Sequence, residues 1–268
     1  MKTKDFFNTH HVFRYEEFCS SVKHDGPEGA NACRKLLSYH VKSGSLVSIR
    51  RLLYAYNYMG AKSQIDNYLI AGKATKDAVL AYHTALEIYG LAYTTFEENY
   101  YLTIASGRAF SFRGTRYQPV AQPIELVRQN KTNQETILIK RRGGQISVTS
   151  LERTIVDILA RPDLCGGWEE VVRSLDNLAS FDAEKLINYA ISLGKGHVVA
   201  RVGYFLDQLP NYLAINPQLM KTLLGHIAKS KTYMDKSLGK GIYIKKWNVI
   251  VPRFIAERQW EEPHNDDI

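Results

Sequence analysis

The chain has 268 residues, 35 Lys or Arg against 27 Asp or Glu, and a formal net charge of +8; that length suits two domains and the balance suits a polyanionic partner. Three cysteines, Cys19, Cys33 and Cys165, show no paired spacing, which argues for a reducing compartment and against a zinc site. No apolar run reaches the length of a membrane span, and "MKTKDFFNTH" has no signal-peptide core, so a cytoplasmic protein is expected.

In chain order, "VFRYEEFCSSV" reads as a short helix with Phe13, Phe18 and Val22 as core candidates. "HDGPEG" turns the chain, with Pro27 and Glu28 suited to the first turn of a second helix. In that helix Cys33, Leu36, Leu37, His40 and Val41 fall on one stripe at helical spacing. Asn31, Arg34, Lys35, Ser38 and Lys42 share the opposite face, with Tyr39 at its margin. Gly44 can end the helix in the left-handed conformation. Two β-prone runs follow, Leu46 to Ile49 and Leu52 to Tyr56, with Arg50 and Arg51 at the bend.

A charged helix face is usually only solvated. Here a helix, a turn, a basic helix and a basic hairpin follow in the order of a winged helix-turn-helix, in which the second helix enters the major groove. Residues 1–60 hold nine Lys or Arg against five acids. Arg34, Lys35 and Lys42 are therefore expected on base edges and phosphates, and Arg50 and Arg51 at the wing. His40, on the apolar stripe, is expected as a hydrogen-bonded core histidine.

Residues 59–74 read as a linker with a docking strand. Thr75 can cap a helix that runs through Val79, His83, Leu86 and Tyr89 to Gly90. "YYLTIAS", "AFSFRG", "RYQPVAQ", "TILIKRR" and "QISVT" read as strands of a largely antiparallel sheet. At "VTSLERTIVDILARPDLCGGWEEVVRSL" the period becomes helical: Thr149 and Glu152 suit a capping box, Leu151, Ile155, Ile158 and Leu159 form the buried stripe, and Arg161-Pro162 ends the helix. Three further helices and a hairpin, "GIYIKKWNVIV", follow. The fold class is α+β: an N-terminal winged helix-turn-helix over 1–58, a linker over 59–74, a mixed α/β domain over 75–256 and an acidic tail over 257–268.

Catalytic motifs are scarce. In "ETILIK", Glu135 and Lys140 are five apart, which on a strand puts them on opposite faces rather than in a nuclease site. "LGKGH" and "LGKGI" lack the length and the Ser/Thr of a P-loop, and helix caps and turns explain them. Glu152 and Asp157 do not share a helix face. No catalytic residue, metal or cofactor is expected.

Taken together, "LLSYHVKSGSLVSIRRLLYAY", "AVLAYHTALEIYGLAY", "VTSLERTIVDILARPDLCGGWEEVVRSL" and "YAISLGKGHVVARVGYFLD" resemble the AbiEi family of antitoxins, over about Val12 to Leu209. The resemblance implies a non-enzymatic bipartite protein. Its winged helix binds double-stranded DNA at repeats in its own promoter and represses it; its C-terminal domain neutralises a cognate nucleotidyltransferase toxin in phage-triggered abortive infection. Arg34, Lys35, Lys42, Arg50 and Arg51 match the basic positions of the family's recognition helix and wing. Leu52 departs from it, standing where the family has Gly. Segment Ser150 to Arg153, with Asp157, is expected to be structural. Two other readings stay open: a nucleic-acid-processing enzyme delivered by a DNA-binding domain, and a ligand-sensing transcription regulator. The sequence shows no dimer interface.

Overall fold

A computed structural model describes residues 3–22, 26–58, 60, 64–210, 213, 215–235, 237 and 241–259. The chain divides into two compact units built from interleaved segments: 1–80, 96–121 and 137–148 form the first, and 81–95, 122–136 and 149–268 the second. Both α-helix and β-strand are abundant in the chain, as an α+β class requires.

The first unit opens with α1 (Thr3–Thr9), β1 (Val12–Arg14), α2 (Tyr15–Ser21), α3 (Gly26–Lys42), β2 (Leu46–Arg50) and β3 (Leu53–Tyr56). The strands form an antiparallel sheet in the order β1-β3-β2. Its core is aromatic: Phe6, Phe7, Phe13 and Phe18 are buried with Leu37 and Leu46. The rings of Phe6 and Phe13 meet edge to face at 5.1 Å, a geometry that matches ring edges to ring faces.

Two expectations change here. α1 gave no signal in the sequence, because its apolar content is the single pair Phe6-Phe7, too short for a periodicity. The expected helix at "VFRYEEFCSSV" begins only at Tyr15, since Val12, Phe13 and Arg14 pair with Ala55, Tyr54 and Leu53. His24 and Asp25 of the expected turn lie outside the described residues.

The segment read as a linker contains α4 (Asn67–Gly72). Asp66 caps it by accepting from Tyr68 N and Leu69 N, at 2.9 and 3.3 Å, and Leu69, Ile70 and Ala71 are buried. "DNYLIAG" is a capped helix, too short to show a repeat. After it comes a six-stranded sheet of β4 (Val79–Leu80), β5 (Glu98–Thr103), β6 (Phe110–Phe112), β7 (Thr115–Ala121), β8 (Thr136–Arg141) and β9 (Gly144–Thr149).

The sheet order is β6-β7-β5-β4-β9-β8. Val79 and Leu80 are thus strand rather than helix: two fully buried aliphatics on a central strand show no alternation. The sheet is mixed rather than largely antiparallel. β4 runs parallel to β9 and β5 parallel to β7, while β4–β5 and β6–β7 are antiparallel.

The second unit holds α5 (His83–Tyr89), α6 (Ile124–Arg128), α7 (Leu151–Ala160), α8 (Trp168–Asp176), α9 (Ala183–Ser192), α10 (Gly196–Asp207), α11 (Pro217–Leu224) and α12 (Arg253–Ala256). It also holds a small sheet of β10 (Thr232–Tyr233), β12 (Val249–Pro252) and β11 (Gly241–Ile244) in that order. The expected closing hairpin is β11–β12, antiparallel from Gly241↔Pro252 to Ile244↔Val249. Between these strands Trp247 is fully buried and donates from Nε1 to Asp207 Oδ2 at 2.6 Å. Its ring lies over Gly203 of α10, where any added Cβ would overlap it. Gly194 turns the chain out of "LGKGH" at φ 63°. Leu238, Gly239 and Lys240 of "LGKGI" lie outside the described residues.

α7 is capped by Ser150, not Thr149: Ser150 Oγ accepts from Arg153 N at 3.2 Å. Thr149 instead bonds its hydroxyl to that of Thr154 at 2.7 Å, and Glu152 accepts from Asp182 N at 2.9 Å. Along with Ile155, Ile158 and Leu159, the helix buries two charges, Arg153 and Asp157. Arg153 donates from Nη1 to the carbonyls of Thr132 and Gln134 (2.9 and 2.8 Å), from Nη2 to Gln122 Oε1 (2.9 Å) and from Nε to Asp157 (3.3 Å). The Tyr189 hydroxyl of α9 donates to the other Asp157 oxygen at 2.8 Å. A buried ion pair persists only when its remaining hydrogen-bonding capacity is filled, and here one guanidinium ties α7 to the 122–134 segment. Complete burial pushes the Asp157 carboxyl above its ordinary range against the opposing pull of Arg153.

A second buried carboxylate, Glu170 on α8, accepts from Tyr93 N, Thr94 N and the Thr94 hydroxyl at 3.0, 3.0 and 2.8 Å. Burial pushes its pKa up, but the Thr94 donors and His83 outweigh it and hold it below the usual range.

Arg153→Met should cost about 3–5 kcal/mol by leaving a buried carboxylate without its counter-charge. In urea denaturation, the Arg153→Met/Asp157→Leu double variant should lose less than the sum of the single losses; strict additivity would refute the coupling. For Glu170 the folded pKa is depressed. Its contribution is therefore present above the unfolded carboxylate pKa and disappears as pH falls through the folded one. Glu170→Gln should remove that part of the acid limb in a stability-versus-pH series, and parallel curves for the two proteins would count against it.

Candidate nucleic-acid interface

The apolar stripe of α3 packs inward, with Cys33 and Leu37 buried and Leu36, His40 and Val41 half-buried. That leaves Asn31, Arg34, Lys35, Ser38, Tyr39 and Lys42 exposed. Arg34, Lys35, Ser38, Tyr39 and Lys42 together line one shallow, open concavity. Tyr39, 66% exposed, is the large apolar side chain of this face.

The frame behind the face is held by hydrogen bonds. The Tyr15 hydroxyl of α2 donates to the Ala30 carbonyl at 3.0 Å. At the far end of α3, Gly44 takes φ 76° and its carbonyl accepts from Asn57 Nδ2 at 2.9 Å. His40 Nδ1 is 3.0 Å from Ser45 Oγ and its ring packs edge to face on Phe7 at 5.1 Å. Burial lowers the His40 pKa, so the imidazole is neutral at physiological pH and adds no charge to the face.

The two arginines of the hairpin separate. Arg51 is exposed at the bend, where Arg50 pairs with Leu53 and a two-residue turn is closed by Leu52 at φ 65°. A branched side chain in the left-handed region is strained, and this is the position where the resembled family has Gly. The turn nevertheless forms, with the Leu52 carbonyl accepting from Tyr15 N at 3.0 Å. Arg50 points elsewhere. Its Nη2 donates to the Ala74 carbonyl at 3.3 Å and its guanidinium lies over the Phe110 ring at 4.6 Å. Arg50 is therefore not gathered with the other basic groups.

Arg14 makes a parallel contact, donating from Nη1 to the carbonyls of Lys73 and Ala74 at 3.3 and 3.1 Å, and Lys73 pairs with Glu17. Sequence reasoning missed this anchorage, because nothing local to Arg14 or Arg50 marks Ala74 or Phe110 as a partner. Among the described residues, Arg34, Lys35, Lys42 and Arg51 take part in none of the ion pairs.

Elsewhere, no three His, Cys, Asp or Glu side chains converge as a metal site among the described residues. Among the same residues no helix is long and apolar enough to cross a membrane. Glu135, at φ 48°, precedes β8 rather than sharing the strand with Lys140.

No curated protein matches the chain. The basic face lies outside the stretch that a family model matches. That stretch, residues 78–208, matches the AbiEi antitoxin C-terminal domain, and over it the chain is similar to the AbiEi antitoxins.

Proposed function

We propose that this chain is an AbiEi antitoxin of an abortive infection system that also binds and represses its own promoter, and that its C-terminal domain neutralises a cognate nucleotidyltransferase toxin. The observation that carries the DNA half is the face of α3, where three cations stand exposed around Ser38 and Tyr39 and, among the described residues, join none of the ion pairs. The order α2, α3, β2, β3 suits a winged helix-turn-helix, with α3 in the major groove.

Asn31 and Arg34, in the middle of α3, would read adenine and guanine edges. Lys35, Ser38, Tyr39 and Lys42 serve the phosphates on either side, and Arg51 reaches backbone or minor groove from the hairpin tip. Arg50 positions that hairpin. The antitoxin half rests on the domain match over 78–208.

Each phosphate that a variant ceases to neutralise flattens the log-log salt dependence of binding by roughly 0.9. In a salt series on labelled DNA, Arg51→Ala should weaken promoter and scrambled duplexes alike and reduce the slope by about that amount. Arg34→Ala should instead narrow the preference for the promoter by about 1–3 kcal/mol. An unchanged slope, or equal weakening on both DNAs for Arg34→Ala, sinks the respective role. Co-expression with the neighbouring toxin gene tests the other half: rescue of growth is expected, including by the Arg34/Arg51 double-alanine variant, and absence of rescue by the unmutated chain overturns neutralisation.

One observation favours a ligand-sensing regulator as the second reading. The second unit carries a half-open pocket of about 400 Å³ walled mainly by Trp168, Leu175, Tyr204, Phe205, Leu209 and Ile255, with Asp176 and Arg258 also in its lining, a size that suits a small ligand. That reading predicts no rescue from the neighbouring gene's product.

A further inference from the structure

Exposed strand edges invite pairing with other chains, and folded proteins blunt them with short strands, bulges or covering side chains. Most edges here are blunted. β1 and β6 have three residues each and β10 has two; Arg50 covers Phe110 of β6; β2 carries a register shift between Ser48 and Arg50.

Among the described edge strands, β8 is the longest. It is a six-residue edge with Ile137 42% and Leu138 68% exposed. Among the described residues, the backbone of 136–141 makes no hydrogen bond outside its own sheet.

The sequence of this edge, Thr-Ile-Leu-Ile-Lys over 136–140, is complementary to itself. A two-fold axis normal to a sheet keeps side chains on their own faces, so an antiparallel self-pairing must be centred on a residue rather than between two. Centred on Leu138, Leu138 faces its own copy, Ile137 faces Ile139, and Lys140 faces Thr136. The lysines of the two copies are then about 13 Å apart along the strands at ~3.3 Å per residue, beyond the screening length in physiological salt. Centring on Ile139 would set Leu138 against Lys140 and Ile137 against Arg141. Apolar pairing and charge separation select one register.

We propose that two copies of this chain associate through antiparallel β8–β8 pairing centred on Leu138, joining their six-stranded sheets. The partner is a second copy because the edge matches itself in hydrophobicity and keeps its two lysines apart. An isologous pair carries two basic helices related by a two-fold axis, the symmetry that palindromic half-sites require.

The test uses the full chain without DNA, so its failure leaves promoter binding to be judged separately. Light scattering across the micromolar range should give a dimer. Leu138→Lys, at a site that tolerates a polar side chain, should give a monomer with an unchanged circular-dichroism spectrum, because it sets like charges face to face on the axis. Directly opposed Cβ atoms lie roughly 4.5–5.5 Å apart, so Leu138→Cys should form an interchain disulfide on mild oxidation while the unmutated chain and Lys140→Cys do not. A monomeric unmutated chain, a dimeric Leu138→Lys, or cross-linking of Lys140→Cys as readily as of Leu138→Cys overturns the proposal.

Discussion

Two guanidinium groups set the frame on which the basic face depends. Arg14 from β1 and Arg50 from β2 both end on the carbonyls that follow α4, at Lys73 and Ala74. Those carbonyls have no partner within the helix, so they are acceptors that a cation satisfies well. The Phe110 ring beneath Arg50 adds a cation–π contact. The three-stranded sheet behind α3 is thereby tied to the turn after α4 by charged hydrogen bonds and to β6 by the cation–π contact. One arginine of the hairpin holds the scaffold and its neighbour is left to face outward.

This division of labour could not be read from the sequence. Arg50 and Arg51 are adjacent, identical and at a bend, and their fates differ through residues 24 and 60 positions away. The features that were legible are those whose cause is local. The stripe of α3, its stop at Gly44, the break at Arg161-Pro162 and the β11–β12 hairpin all follow from short-range spacing or backbone preference, and all appear where spacing placed them. The misread elements are short or doubly buried. α1 and α4 have too few turns to show a period, and β4 is two central aliphatics that suit either a helix or a strand. Strand direction within the large sheet also escaped, because side-chain alternation is the same in parallel and antiparallel pairs.

The second unit shows a different limit. Glu152 looks like a capping-box acid, yet it reaches Asp182, and Arg153, expected only to be structural, is fully buried. A helix that buries Arg153 and Asp157 one turn apart gains little from the pair itself, since desolvation offsets most of the attraction. What the pair provides is direction. The guanidinium has donors in one plane, and two carbonyls and one amide oxygen must meet them. A purely apolar α7 would accept several rotations about its axis; this one accepts few.

The interleaving of the two units carries its own consequence. The chain passes from one unit to the other at 80/81, 95/96, 121/122, 136/137 and 148/149. Neither unit is a contiguous piece of the polypeptide past residue 80, so neither can be complete on the ribosome before residue 148 has been made. The amino-terminal half waits for strands β5 to β9 before its larger sheet can close. Emerging protein would thus acquire its scaffold late and all at once, and the gene offers no cut point at which the basic helix, with its full support, could be exchanged as a module between relatives.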